Sequence, residues 1–540
     1  MAADLDPRRL LRSARRLLGR LPAVTAPFAR APDQPALALR DPWPGEPMRG
    51  SRLLKGEYAT GGVVLPLLPE AWAGGDWPAV AAEEAHGFAW LRDLRALGSD
   101  AARLRARALI LGWLEAVPRL SPCAFGEAAT GARLAAWLTH WDFVAASAEE
   151  PFRRAMMARA WEDARDLAAA LPAETIDRRA FTALKGLIAA GAALPGGEPW
   201  LARALRFLGQ EIERQILPDG GHVERSPQGL AAVLMDLIEI RSWLAAAKAA
   251  VPDTLASAIA RAAPMLAALR HGDGGLALFN GSREGSAALL SLVLAQAETR
   301  LRPAARSPGM RLERLAAGRT VLIVDAGVPP PRGQDRLAHA GTLAFELSVG
   351  RDRLIVNCGA APAAPAAWRD ALRATAAHST LVIADVNSSE LKPEGLGRRP
   401  EEVMLQRHEA NGAHWLDASH DGWRRPFGAI HRRRLYLGDS GEDIRGEDAI
   451  ESALPQPFAI RFHLHPSVTA SLLQDGAGVL LRTPNSGGFV MRADGARLAL
   501  EESVYAGGEE RRRTQQIVLS GRPEDGPCLV KWAITRAGGG

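Results

Sequence analysis

Cysteine and lysine are scarce in this 540-residue chain, and long apolar runs are absent from it. The three cysteines, Cys123, Cys358 and Cys528, are odd in number, far apart and in no Cys-x-x-Cys pair. That excludes a disulfide framework and a zinc-finger ligand set, and it leaves them as small buried hydrophobes in a chain suited to a reducing compartment. No apolar run of about 18 residues occurs, so no transmembrane helix is expected. The N-terminus lacks the continuous apolar stretch and small-residue cleavage site of a secretory signal, which points to the cytoplasm. Only Lys55, Lys185, Lys248, Lys392 and Lys531 are lysines among the 66 basic residues. Such arginine dominance follows from a GC-rich genome, which also inflates Ala, Gly and Pro; the other reading is bidentate recognition of carboxylate or sulfate.

The formal charge of +5 does not indicate nucleic acid. Residues 1–40 hold eight arginines against three aspartates (8 − 3 = +5), so the remainder of the chain balances to zero. No basic stripe with interleaved aromatics marks the body of the protein. Leu10, Leu11, Leu17, Leu18 and Leu21 fall at helical spacing among the N-terminal arginines. A basic amphipathic helix there permits peripheral membrane contact, although packing on the body is the simpler expectation.

What is present is ample core material, with 47% hydrophobic residues, and a length that implies more than one domain. From about residue 80 to 300 the apolar residues recur at helical spacing. Examples are Phe88, Leu91, Leu94 and Leu97, then Leu109, Ile110, Trp113 and Leu114, then Leu230, Val233, Leu234, Leu237 and Ile240. Pro118, Pro122, Pro151, Pro172, Pro195, Pro252 and Pro264 punctuate the helices as loop or first-turn residues. Trp90, Trp113 and Trp137 belong to the helical core by their spacing.

Beyond residue 310 the period becomes two, and about ten short strands are expected. They include Thr320–Asp325, Leu343–Ser348, Leu354–Asn357, Thr380–Ile383, Arg433–Leu437, Ala459–His465, Val479–Arg482, Gly488–Ala493, Ala496–Glu501 and Arg513–Leu519. Asn411-Gly412 between Val403–Glu409 and His414–Ala418 is a strong hairpin signal. The expected order is therefore helices first and an antiparallel β-sandwich second. The boundaries fall at 1–80 for the basic helix and lead-in, 81–305 for the helical domain and 306–540 for the sandwich.

Two constellations carry chemistry. In Asp219-Gly-Gly-His222-Val-Glu224-Arg225-Ser226-Pro227, a turn ends one helix, and Ser226-Pro227 opens the next as N-cap and first-turn proline. Histidine, glutamate and arginine are thus held at a helix N-terminus, where anions are favoured. In the strand region, His339, Asn357 and His378 sit at strand ends that a sandwich brings to one rim. Two imidazoles and an oxygen suit zinc, although a neutral Asn is a poorer third ligand than a carboxylate. His463 and His465 share one face of their strand and read as structural.

These segments resemble the heparinase II/III-like polysaccharide lyases. The resemblance rests on His339-Ala-Gly-Thr-Leu-Ala-Phe345-Glu346, Leu354-Ile-Val-Asn357-Cys-Gly359, Arg373-Ala-Thr-Ala-Ala-His378, the Asp219–Pro227 segment and Arg461-Phe-His463-Leu-His465-Pro, in order over roughly residues 85–520. It implies an incomplete α/α toroid followed by an antiparallel β-sandwich, with an acidic polysaccharide in the cleft between them. It implies β-elimination on uronate-containing, heparin- or heparan-like chains, and a location in the cell envelope. That chemistry neutralises the uronate carboxylate, removes the C5 proton and protonates the leaving oxygen. His222, Arg225 and His339 are the catalytic candidates. Asp219, Glu224 and Gln228 are the substrate-binding candidates, and His339, Asn357 and His378 are those for zinc or another divalent metal.

The chain also departs from the family pattern. Gln228-Gly229 stands where the family has its tyrosine, and Tyr58, Tyr436 and Tyr505 all lie elsewhere. Leu337 replaces the first His of a His-x-His, Gly341 replaces the usual aspartate, and Asn357 replaces a metal-binding Asp. Three readings follow: a divergent lyase, which is the expectation; a glycan-binding protein that kept the scaffold and lost the chemistry; and a structural or interaction role that uses the basic N-terminal helix at a membrane.

Overall fold

The computed structural model describes residues 31–74, 76–117, 121–299, 302–452, 454–473, 476–523 and 527–538. The basic helix expected near the N-terminus lies outside these residues. The chain packs into two compact units. The first comprises the described residues up to Gln215 with Val233–Ile259, and the second comprises Ile216–Ala232 with the residues from Ala260 onward. The Asp219–Pro227 segment therefore packs with the strand-rich unit. No helix among the described residues is long and apolar enough to cross a membrane.

The first unit is helical, apart from a small hairpin of β1 (Glu57–Thr60) and β2 (Val63–Pro66). Its longer helices are Asp100–Ala116, Glu127–Thr139, Glu150–Ala170, Arg179–Ala193 and Glu198–Gln215. Helices Glu127–Thr139 and Arg179–Ala193 cross at Gly131 and Gly186, where a Cβ on either would lie within 2.4 Å of the other helix's backbone. Only glycine permits that approach. Trp90, Trp113 and Trp137 are buried as expected, with Trp113 and Trp137 edge-on to Phe88. Pro264 corrects the sequence reading, because it lies inside the helix Asp253–Ala268 instead of in a loop or first turn. A proline forfeits one intrahelical N–H, a cost that a helix with enough apolar packing can absorb.

The strands of the second unit are β3 (Leu312–Ala317), β4 (Thr320–Asp325), β5 (Phe345–Val349), β6 (Asp352–Val356), β7 (Leu381–Ile383), β8 (Leu391–Lys392), β9 (Gly395–Leu396) and β10 (Val403–Ala410). There follow β11 (Ala413–Trp423), β12 (Ala429–Leu437), β13 (Asp443–Glu451), β14 (Phe458–Leu464), β15 (Thr469–Leu472) and β16 (Gly478–Thr483). The last four are β17 (Gly487–Asp494), β18 (Arg497–Tyr505), β19 (Arg512–Gly521) and β20 (Cys528–Arg536). One eight-stranded sheet runs β10-β11-β12-β13-β20-β17-β16-β15. The other runs β18-β19-β14-β6-β5-β4-β3, with β7 also paired to β14. The pairings within these sheets are antiparallel, and apolar residues of both sheets meet in one shared core.

That core is built around aromatic rings and one ion pair. Trp532 stacks on Phe345 at 5.5 Å and meets Phe462 edge-on. Arg433, fully buried, lies over Phe345 and donates to both carboxylate oxygens of Asp448 at 2.7 and 3.1 Å. Its remaining donors reach Leu343 O and Ser379 O, while His431 and the Trp532 indole N–H complete the shell of Asp448. Burial alone would raise the Asp448 carboxyl, but the Arg433 and His431 partners hold it well below the usual carboxylate range.

Candidate functional site

Asp219-Gly-Gly-His222 forms a tight turn in which Gly220 has φ +85°, and a Cβ there would lie 2.0 Å from Arg261 O. Asp219 fixes the turn, because its carboxylate accepts from Gly221 N, Gly309 N and Met310 N at 3.0, 2.8 and 2.9 Å. His222 is wholly buried; its Nδ1 accepts from Glu224 N at 3.3 Å, and it pairs with Ile216 as an isolated bridge. Glu224 is also buried. Ser226 caps the helix that opens at Pro227, accepting from Gly229 N at 3.2 Å. Gln228 is exposed, donates its backbone N–H to Ser282 Oγ and accepts from Arg283 N at 3.0 Å.

Arg225 adopts φ +52°, a left-handed conformation that costs a non-glycine residue about 1–2 kcal/mol. Its guanidinium supplies the compensating interactions. Nε donates to Met310 O at 2.8 Å, Nη1 to Val328 O at 2.8 Å and Gly327 O at 3.3 Å, and Nη2 to Arg311 O at 3.3 Å and to the Asp325 carboxylate. All five N–H groups of the fork are thereby committed within the protein. Burial raises the Asp325 carboxyl, and the pull of Arg225 only partly offsets it.

Asn280 ties this loop to the next. Its amide donates to Arg225 O at 3.0 Å, and its Oδ1 accepts from His339 N at 3.2 Å. The His339 side chain turns to His378, with Nδ1 2.9 Å from Nε2. His378 Nδ1 lies 2.8 Å from Ala374 O, which can only accept, so Nδ1 carries the proton and Nε2 is the acceptor for His339. Burial pushes His378 down to about 4 and, with help from His378 and Arg373, holds His339 well below the usual imidazole range. Both rings are neutral near pH 7, and neither is a strong base.

The departures from the family pattern have local causes. At Gly341 a Cβ would meet the His378 ring at 2.7 Å, so a side chain at 341 and this ring position exclude each other. Asn357 donates its backbone and amide N–H groups to Glu346 Oε1 at 2.8 and 3.1 Å, and its Oδ1 accepts from Ser379 N at 3.0 Å. An aspartate there would set two buried carboxylates against each other. His271 supplies the second partner of Glu346 at 2.9 Å. The trio His339, Asn357 and His378 does not fit a metal ion, because the imidazoles bond to each other and the Asn oxygen faces a backbone N–H. Among the described residues no group of three or more His, Cys, Asp or Glu side chains is arranged to hold one. His463 is buried, bonded to Ser503 Oγ and Ala376 O, and pushed down to about 3 by burial.

FtsZ-localized protein C of Caulobacter vibrioides (strain NA1000 / CB15N) is 31% identical over 528 residues, covering 92% of this chain and 90% of that protein. A family model described as heparinase II/III-like, C-terminal, matches residues 299–533. The chain belongs to the heparinase II/III-like family. Among solved structures, heparinase III aligns with a TM-score of 0.72 at 13% identity, covering 98% of this chain and 90% of that one. The heparan sulfate lyase HepC from Pedobacter heparinus aligns with a TM-score of 0.57 at 14% identity, covering 98% and 88%. At these identities the likeness concerns the fold alone: α+β, helices first and antiparallel sheets second.

Within this heparinase II/III-like chain, Asp219, His222, Glu224, Arg225 and Gln228 share one unit with His339, Asn357 and His378. The polar side chains point to separate partners: Arg225 to Asp325, His339 to His378, Asn357 to Glu346. Asn280 and Glu346, which hold the loops in register, were not singled out from sequence. Asn280-Gly281, with φ +46° and +76°, is a turn signal that could have drawn attention to the first.

Proposed function

We propose that this chain recognises acidic, uronate-containing glycan on a lyase-family scaffold without cleaving it. The observation that carries this reading is the closure of the expected catalytic set by its own hydrogen bonds. Elimination at C5 needs a cation or metal on the uronate carboxylate, a base of adequate strength and an acid for the leaving oxygen. Arg225 has its donors committed to four carbonyls and Asp325, His339 is bonded to His378 and held weakly basic, and Gln228 stands in the place of the family's tyrosine. Gln228 is exposed beside this set and can hydrogen-bond a sugar, but it cannot transfer a proton near pH 7. The test is calorimetric titration of the full chain with heparosan and heparan sulfate oligosaccharides, each mixture being read afterwards for the absorbance of unsaturated uronate. Heat of binding with no unsaturated product is expected; unsaturated product would restore the lyase reading, with His222 and His339 as its acid and base.

A second reading rests on the identity to FtsZ-localized protein C over most of both chains. On it, this chain also associates with FtsZ. Co-sedimentation with FtsZ polymers should enrich the full chain in the pellet, and a chain that stays in the supernatant at all polymer concentrations would contradict it.

A further inference from the structure

The sheet that begins at β10 has an outer face that the reading above does not use. Register places His408, Trp415, Tyr436 and Arg445 side by side in one row across β10, β11, β12 and β13. The neighbouring row runs Gln406, Asp417, Arg434, Glu447 and Lys531. The intervening residues Leu416, Leu435 and Trp532 point into the core, so these two rows face outward. Together they line a groove of about 760 Å³ that crosses six strands to Arg492 and Asp494 on β17. Five inter-strand spacings make it roughly 24 Å long. A smaller depression of about 310 Å³ continues along the same face and shares Gln406 and Asp417 with it.

The aromatic rings form a platform. Trp415 is 40% exposed, yet it is held between His408 and Tyr436 at ring separations of 5.6 and 5.2 Å. Arg445 sits over Tyr436 at 5.8 Å. The adjacent polar groups are fixed before any ligand arrives. Arg434 bridges Asp417 at 3.2 Å and Glu447 at 2.8 Å, and Arg432 holds Asp417 at 2.5 and 2.8 Å. Lys531 is exposed at the far side and forms no ion pair among the described residues.

A strip of aromatic faces bordered by planar, prefixed acceptors and donors matches a pyranose chain, whose apolar C–H face stacks while its hydroxyls take paired hydrogen bonds. A peptide strand is less well served, because backbone groups on the face of a sheet are already paired in the ladder and offer no edge to extend. Arg407 also borders the groove, but its side chain is buried against Glu313. With Arg432, which holds Asp417, and Asp443, which holds Arg445, five basic residues (Arg432, Arg434, Arg445, Arg492, Lys531) stand against four acidic ones (Asp417, Asp443, Glu447, Asp494) on this face, a surplus of one positive charge that favours a ligand with negative charge.

We propose that this groove is a binding site for an acidic oligosaccharide, with sugar rings stacked on Trp415 and Tyr436 and a uronate carboxylate held by Lys531. The inference rests on the glycan reading above and places a site on a different face of the same unit. The test titrates the full chain with a heparosan hexasaccharide, with maltohexaose as a neutral chain and hexaglutamate as an acidic peptide. Trp415→Ala and Tyr436→Ala should each weaken hexasaccharide binding by about tenfold or more, and Trp415→Phe should retain most of it. Lys531→Ala should weaken the hexasaccharide but not maltohexaose. Hexasaccharide binding that survives both aromatic variants and is lost in Gln228→Ala would overturn the groove and leave the glycan reading standing. Hexaglutamate binding that depends on Trp415, with no saccharide bound, would make the face a protein-docking surface. Failure of every saccharide to bind the wild-type chain would remove both.

Discussion

Two polar regions of the strand-rich unit contrast in what their side chains can still do. Around Arg225, His339 and Asn357 the donors and acceptors are buried and answered by the protein itself. Around Trp415 and Arg434 the groups are equally well fixed but face outward, with ring faces and a lysine open to solvent. Catalysis and binding both require preorganised groups, but preorganisation serves a ligand only where the groups remain reachable. The lyase scaffold alone therefore does not locate function. The accessible set lies away from the motif through which the family resemblance was recognised.

The largest effect should come from Arg225→Met. It leaves the Asp325 carboxylate buried without its partner and deprives four carbonyls of donors, so unfolding free energy in denaturant should fall by about 3–5 kcal/mol. A variant as stable as wild type that had lost glycan binding would instead make Arg225 a ligand residue and erase the contrast.

Acid should act next. His378 is lowered to about 4 and His463 to about 3, whereas the unfolded chain titrates near 6.5. A folded value below the unfolded one means stability is fully present above about pH 6.5 and is lost as pH falls toward 4. His378 alone contributes on the order of 3 kcal/mol to that loss. His378→Gln should flatten the profile of thermal midpoint against pH, and an unchanged slope would show that the ring is not held neutral.

Much of the architecture could be read from the sequence because it follows local rules. Asn411 and Gly412 take φ of +51° and +80°, as a two-residue hairpin between β10 and β11 requires, and the period-two segments became strands within a few residues of their expected bounds. Strands β3, β15 and β20 were not expected from the sequence, and neither was β13. Its sequence Asp443–Glu451 is rich in charge, and two inward positions hold Gly446 and Asp448. Gly446 is small because the Trp532 indole lies where its Cβ would be, 2.0 Å away, and Asp448 is inward because it anchors Arg433, His431 and Trp532. Those partners lie on β12 and β20, so no local pattern could reveal them. The candidate site was similar. Gly341 and Asn357 were legible as departures, but their causes, the His378 ring and Glu346, are apparent only from packing. Trp415 drew no attention because its row partners lie on strands whose register the sequence does not fix.

Gly341→Ala sharpens the packing argument. The new methyl group must displace the His378 ring, at a cost of about 1–3 kcal/mol in stability. Combining it with His378→Ala should give less than the sum of the two losses, and strict additivity would show that residue 341 and the ring do not compete. The smallest stability effect belongs to Trp415→Ala, which should stay within about 1 kcal/mol of wild type because the ring is half in solvent. A larger loss by calorimetry would mark Trp415 as part of the core and weaken the case for the groove.

The most direct measurement is the appearance of unsaturated uronate when the full chain is incubated with heparosan. The closed arrangement of Arg225, His339 and His378 predicts none above the buffer control, under conditions where calorimetry detects binding. Unsaturated product that disappears in both His222→Ala and His339→Ala would contradict the account and return this chain to the active lyases.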